Sequence, residues 1–105
     1  MKFPEKDLPA VGAAAHAIMR EAIAAGVWII GGGFKGYFPQ VVGIDGSVTP
    51  GPITETAAHI GGFSVINVKS EAEALRWAKK IAVACRCAQE IRIIMDDPEQ
   101  DDLLV

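Results

Sequence analysis

The chain has 105 residues, of which 50% are hydrophobic and 22% charged, and its formal net charge is −3 at pH 7. This length suits one domain, residues 1–105, and no apolar run approaches the roughly 20 residues of a membrane helix. The Lys and Arg residues are scattered apart from one adjacent pair, whereas nucleic-acid binding needs a clustered basic face. The charged start, which contains Pro4, does not resemble a signal peptide. We therefore expect a cytoplasmic protein with no membrane or nucleic-acid partner.

The two cysteines and the acidic C-terminus carry no expected chemistry. Cys85 and Cys87 are separated by one residue, which is not the spacing of a redox or zinc motif, and no second pair completes a metal site. We expect both thiols to be reduced and structurally passive. The acidic segment at about 96–105 is interpreted as a solvated tail.

The first helix is predicted over about 8–25. Asp7 is a plausible N-cap, Pro9 fits the first turn and Gly26 supplies the C-terminal stop. Apolar residues recur at three- and four-residue spacing along one stripe: Val11, Ala15, Ile18 and Ala22.

Strands are predicted after this helix. Val27–Ile30 is short, apolar and β-rich, and the three glycines that follow, Gly31–Gly33, are expected to end the strand and open a turn. Asp45-Gly46 predicts a hairpin between residues 41–44 and 47–49. The prolines at 50 and 52 exclude a central strand there, so a loop is expected to about residue 58. Residues 61–68 are predicted to form a longer strand.

A second helix and a last strand complete the pattern. Ser70 and Glu73 form a capping box, in which the Ser hydroxyl accepts from the N3 amide and Glu73 reaches back. The helix buries a stripe of small and apolar residues with Trp77 beside it, and Trp28 and Trp77 are expected to be core or interface aromatics. Residues 89–95 alternate as a strand with Ile91, Ile93 and Met95 inward. This order predicts an α+β fold with helices on one face of a mostly antiparallel sheet.

The middle of the chain resembles a known family. Pro50-Gly51-Pro52-Ile53-Thr54-Glu55-Thr56, Ile60-Gly61-Gly62-Phe63, Val65-Ile66-Asn67-Val68 and Ala74-Leu75-Arg76-Trp77-Ala78 resemble the YCII-related family. They are most similar to the branch named for an Asp-Gly-Pro-Phe (DGPF) motif. Here Pro50 stands in place of the motif's Asp and Ile53 in place of its Phe, so any role of those two side chains is not carried over.

The resemblance implies a ferredoxin-like fold in a dimeric α/β-barrel assembly, hence a homodimer with a pocket beside the sheet for a small-molecule ligand. Some relatives are enzymes that act on small ring compounds. Family members open with a strand that becomes central in the sheet, whereas this chain opens almost directly with its first helix. An open slot would leave unpaired N–H and C=O groups costing about 1–3 kcal/mol each when buried. Three arrangements avoid such a slot: the neighbouring strands pair directly, a strand is exchanged with a partner chain, or a strand lies upstream of Met1. We expect direct pairing or intermolecular exchange, and we do not expect residues 1–6 to form that strand.

Three residues are candidate acid/base groups. His16 lies about 140° from Val11 on a helical wheel, so it either reaches a cleft between helix and sheet or is a surface histidine. Glu55, which matches the family's motif glutamate, and His59 share a loop, where a carboxylate could orient an imidazole. Equally, Glu55 could cap backbone amides in a proline-rich turn, and His59 could be an ordinary loop residue.

Two functions from different classes remain open. The first is a lyase or isomerase that moves protons on a small molecule, with no organic cofactor and no metal, and with His16 or Glu55 as the acid/base group. The second is a non-catalytic ligand-binding or accessory module of the same fold. An enzyme needs a titratable side chain and a second polar group converging in one concave site.

Overall fold

A computed structural model of the chain describes residues 5–34, 39–51 and 61–104. The helices and strands are a 3-10 turn Glu5–Asp7, then α1 Leu8–Ala24, β1 Trp28–Gly33, β2 Gln40–Val42, β3 Val48–Pro50, β4 Gly62–Ile66, α2 Glu71–Cys85 and α3 Pro98–Leu103. Residues 1–6 are not expected to form the family's first strand. Glu5 and Lys6 lie in the 3-10 turn, which is consistent with that expectation. The rest of residues 1–6 lies outside the described residues.

Both long helices begin where the sequence predicts, although the Asp7 side chain makes no cap hydrogen bond and pairs with Arg86 instead. After the end of α1 the chain turns at Gly26, whose φ of 76° is a left-handed conformation that glycine adopts without strain. At α2 the Ser70 side chain accepts from the Glu73 backbone N–H, while Glu73 Oε2 accepts from the Lys69 N–H rather than from Ser70. The predicted cap by Ser70 is therefore confirmed. The second bond of the capping box is made to the N–H of Lys69, one residue before Ser70.

The main sheet pairs β1 with β4 in antiparallel register, with Gly31 opposite Ser64 and Gly33 opposite Gly62. The prediction that Gly31–Gly33 end the strand is wrong, because these glycines form its second half. Among them Gly31 is needed for close approach, because a Cβ on Gly31 would lie 2.7 Å from Ser64 Cβ. Bulky residues would hold the two strands apart here.

The predicted hairpin forms as a separate two-stranded sheet of β2 and β3. Its loop is longer than the expected two-residue turn, because the Gly43 N–H donates to the Ser47 carbonyl at 2.7 Å. Asp45 stabilises this loop by accepting from the Ser47 N–H at 2.9 Å. Pro50 is the last residue of β3, opposite Gln40, so its missing N–H falls at the end of the ladder.

The core lies where α1, α2 and the main sheet meet. Ala22, Val27 and Trp77 are buried together, and Trp28, Ile66 and Val68 pack against them. The helices thus cover one face of a small antiparallel sheet, which is the predicted α+β arrangement and is consistent with a ferredoxin-like fold. Trp77 is confirmed as a core residue.

The last predicted strand does not form. Residues 89–95 pair with no strand, and Ile93 and Met95 are 81% and 86% exposed. A strand needs a neighbour to satisfy its N–H and C=O groups, and within the described residues β4 pairs with β1 alone. The acidic tail is solvated as expected, but part of it forms α3, where the Asp97 side chain accepts from the Gln100 N–H.

Candidate functional site

The structure does not bring the three predicted site residues together. His16 lies on an exposed face of α1 and lines neither of the two cavities described below. Glu55 and His59 lie outside the described residues. The catalytic assignments of all three therefore stay predictions, and the structure describes only the residues on either side of 52–60.

The two described residues that flank 52–60, Gly51 and Gly61, both make backbone hydrogen bonds. Before it, the Gly51 N–H donates to the Pro39 carbonyl at 2.8 Å. After it, the Gly61 carbonyl accepts from the Phe34 N–H at 2.7 Å. Gly51 thus lies just after β3 in the hairpin, and Gly61 lies just before β4, opposite the residue that follows β1.

An apolar face of the main sheet begins at this point. The Phe34 and Phe63 rings lie 5.9 Å apart and are tilted by 45°, and both residues are about half exposed. Farther along, Ile30 pairs with Val65 on the same face. We call Ile30, Phe34, Phe63 and Val65 the open sheet face, because α1 and α2 cover the opposite side. Aromatic and aliphatic side chains of this kind line most small-molecule pockets.

A cavity of about 530 Å³ lies at the other end of the sheet. It is lined by the backbone turn Ala25–Val27 and by side chains from the β4–α2 connection and the first turns of α2: Asn67, Lys69, Glu73 and Arg76. The lining thus includes two cationic residues and one carboxylate, and that carboxylate already accepts from the Lys69 N–H. The cavity could therefore hold a small ligand with an anionic group. Sequence reasoning missed it, although a cation on each side of the capping box was a readable signal.

A second, more open groove of about 520 Å³ runs between α1 and α2. Ala14, Ile18 and Val83 give it an apolar floor, and the Glu21–Lys80 ion pair lies at its edge. The Lys80 ammonium also lies 5.1 Å from the Trp77 ring centre, a cation–π distance. Trp77 Nε1 is buried and has no hydrogen-bond partner among the described residues.

Cys85 is the last residue of α2, and Cys87 follows it after one residue. Both are unpaired and half-buried. Burial, and to a lesser extent the neighbouring Cys87, raises the pKa of the Cys85 thiol, which lowers its reactivity at neutral pH. Across residues 5–34, 39–51 and 61–104, no group of three or more His, Cys, Asp or Glu side chains could hold a metal ion.

In the described parts of the chain, no helix is both long enough and apolar enough to cross a membrane. Searches of the curated proteins and of the solved structures found no significant match. The family model of the YCII-related domain matches residues 4–97, which is nearly the entire chain. The chain therefore belongs to the YCII-related family.

Proposed function

We propose that this YCII-related protein binds a small molecule and moves protons on it as a lyase or isomerase, without an organic cofactor. The observation that carries the proposal is the position of the two residues that flank 52–60 in the chain. Gly51 donates to Pro39 beside the hairpin, and Gly61 accepts from Phe34, whose ring lies 5.9 Å from that of Phe63 on the open sheet face. A loop held by a rigid scaffold beside an apolar surface is a common site for catalytic groups.

The roles follow from the ordinary chemistry of the side chains. His59 would take a proton from an acidic C–H of the ligand, because an imidazole titrates near neutral pH. Glu55, the residue that matches the family motif, would orient and stabilise the imidazolium. His16 is not given a role in this scheme and is tested separately.

Deuterium exchange tests the proposal without knowledge of the net reaction. Enolisable small-ring ketones and lactones are incubated with the protein in D₂O, and loss of the acidic C–H signal is followed by proton NMR. We expect exchange well above the buffer rate, a fall of at least about tenfold in Glu55→Gln and His59→Asn, and no change in the exposed-helix control Arg20→Gln. Unchanged exchange in both loop variants would contradict the assigned roles. Loss of exchange in His16→Asn alone would return the role to His16.

A non-catalytic ligand-binding module is the second candidate, and the cavity beside Lys69 and Arg76 favours it. Small carboxylates and inorganic phosphate are titrated calorimetrically into the protein. We expect binding that weakens in Arg76→Gln and Lys69→Gln but not in Lys79→Gln, which lines the groove between α1 and α2 instead. Binding with no proton exchange on any ring compound would favour this function over the first.

We also propose that the protein acts as a homodimer in the cytoplasm. Ile30, Phe34 and Phe63 of the open sheet face are each more than half exposed, and single chains rarely leave such a patch in water. The unpaired cysteines support a reducing compartment.

A further inference from the structure

Residues 89–95 and the outer edge of β4 have complementary features. The segment has the alternation of a strand, yet it lies unpaired with Ile93, Ile94 and Met95 exposed by 72% or more. Such an apolar run without backbone partners is expected to seek a sheet edge.

The edge of β4 that faces away from β1 offers the missing partners. The Gly61 carbonyl accepts from the Phe34 N–H, and the Asn67 N–H donates to the Val27 carbonyl. The backbone groups of these two residues, one at each end of β4, thus face β1, and the direction alternates from residue to residue between them. The backbone groups of Gly62, Ser64 and Ile66 therefore face the outer edge. No other strand among the described residues pairs with them.

A single chain exposes more surface than a compact monomer of the same mass. The chain exposes 8,847 Å², whereas a compact monomer of this mass exposes about 5,700 Å². Its radius of gyration is 16.1 Å, against about 13 Å for a compact chain of this length. Among the described residues, the open sheet face and the side chains of Ile93, Ile94 and Met95 contribute to this exposed area, and a second copy can cover them.

We infer that residues 89–95 of each chain add as a strand to the outer edge of β4 in a second copy of this chain. A second copy is the occupant because the donor segment and the acceptor edge lie on the same chain. Two copies related by a two-fold axis satisfy each other reciprocally and leave neither feature open. The segment carries one Glu and one Arg, already paired as Glu90 with Arg92, so its approach to β4 meets no charge repulsion. The inference does not depend on the proposed activity.

Cross-linking between differently tagged chains tests this exchange. In a Cys85→Ala, Cys87→Ser background, one chain carries Val65→Cys and the other carries a single cysteine at position 91, 92, 93 or 94. The two are unfolded, refolded together and treated with a short bifunctional maleimide. We expect cross-linked heterodimers whose yield alternates with period two along residues 91–94. Cross-linked heterodimers without that alternation, or none, overturn the inference.

A double variant with Val65→Cys and Ile93→Cys on one chain separates exchange from pairing within a chain. Diluted with an excess of cysteine-free copies, it should lose its cross-link if the segment crosses between chains. A cross-linked product that keeps the mass of one chain under that dilution shows internal pairing and overturns the inference.

Proline distinguishes backbone pairing from simple apolar contact. Ile93→Pro removes an N–H from the ladder and should abolish the heterodimer cross-link at the neighbouring positions, whereas Ile93→Ala should only reduce it. Equal yields for the two variants contradict strand addition. Light scattering on the same samples reads the dimer itself, so loss of exchange and loss of dimerisation are distinguished.

Discussion

At the scale of single residues, close packing and local hydrogen bonds decide which positions tolerate change. Gly31 and Gly32 are neighbours in one strand but differ in surroundings. A Cβ on Gly31 would meet Ser64 Cβ, Trp28 Cζ2 and the Phe63 carbonyl within 2.9 Å, whereas a Cβ on Gly32 meets nothing within 4 Å. The two positions form a matched pair.

Gly31→Ala should lower the free energy of unfolding by about 1–3 kcal/mol, because the added methyl group must push β1 away from β4. Gly32→Ala should change it by less than about 0.5 kcal/mol. Urea unfolding followed by tryptophan fluorescence measures both. Equal effects at the two positions would mean that the strands are not held at this spacing.

Asp45 gives a prediction about pH. Hydrogen bonds from the Ser47 hydroxyl and the Ser47 backbone N–H hold the pKa of its carboxyl below the usual range of an aspartate. A lowered pKa means that the carboxylate stabilises the loop above the ordinary aspartate pKa. This stabilisation is lost as the pH falls through the lowered value. Ser47→Ala should raise the pKa of Asp45 toward its usual value, as read from the carboxyl carbon by NMR, and Thr49→Ala should leave it unchanged. A pKa insensitive to Ser47→Ala would show that the hydroxyl is not the main cause.

At the scale of elements, the N-terminus of α2 depends on a defined pair of side chains. Ser70 accepts from the Glu73 N–H, and Glu73 accepts from the Lys69 N–H. Ser70→Ala should cost about 1 kcal/mol of stability, since one amide of the first turn loses its acceptor. Glu73→Gln keeps an acceptor oxygen and should cost much less. Thermal unfolding by circular dichroism measures both, and an unaffected Ser70→Ala would remove the cap from the account of this helix.

The elements that could be predicted from the sequence are those fixed by local chemistry. Period and caps predict α1 and α2 closely, and Asp45-Gly46 predicts the hairpin, because these signals act within a few residues. The extension of β1 through Gly31–Gly33 depends on how closely β4 approaches, and the state of residues 89–95 depends on a strand partner. Neither is encoded in neighbouring residues. Of the candidate site, the sequence could name Glu55 and His59 but not the Lys69–Arg76 cavity, which forms only when α2 packs against the turn after α1.

At the scale of the whole molecule, the dominant feature is the apolar surface that a single chain exposes to solvent. Ile30 lies on the open sheet face, and Ile44 lies fully exposed in the hairpin loop. Ile30→Asp should shift the protein from the mass of a dimer toward the 11.1 kDa of a single chain. The reason is that a charge at an apolar interface is left unpaired. Ile44→Asp should leave the mass unchanged. Light scattering at micromolar concentration measures both, and a wild-type mass near 11.1 kDa would contradict the proposed dimer.

The separate β2–β3 hairpin divides the chain into regions of unequal local stability. Two strands of three residues, with Val42 and Val48 mostly exposed, cannot hold their hydrogen bonds as firmly as β1 and β4 do. Amide protons in the hairpin should therefore exchange with solvent through local opening, at a small fraction of the free energy of global unfolding. Segment 52–60 joins this weakly protected region to a firmly protected one. The Gly51–Pro39 hydrogen bond on the hairpin side can thus open while the Phe34–Gly61 bond on the main sheet stays formed, so the hairpin can move without unfolding the core.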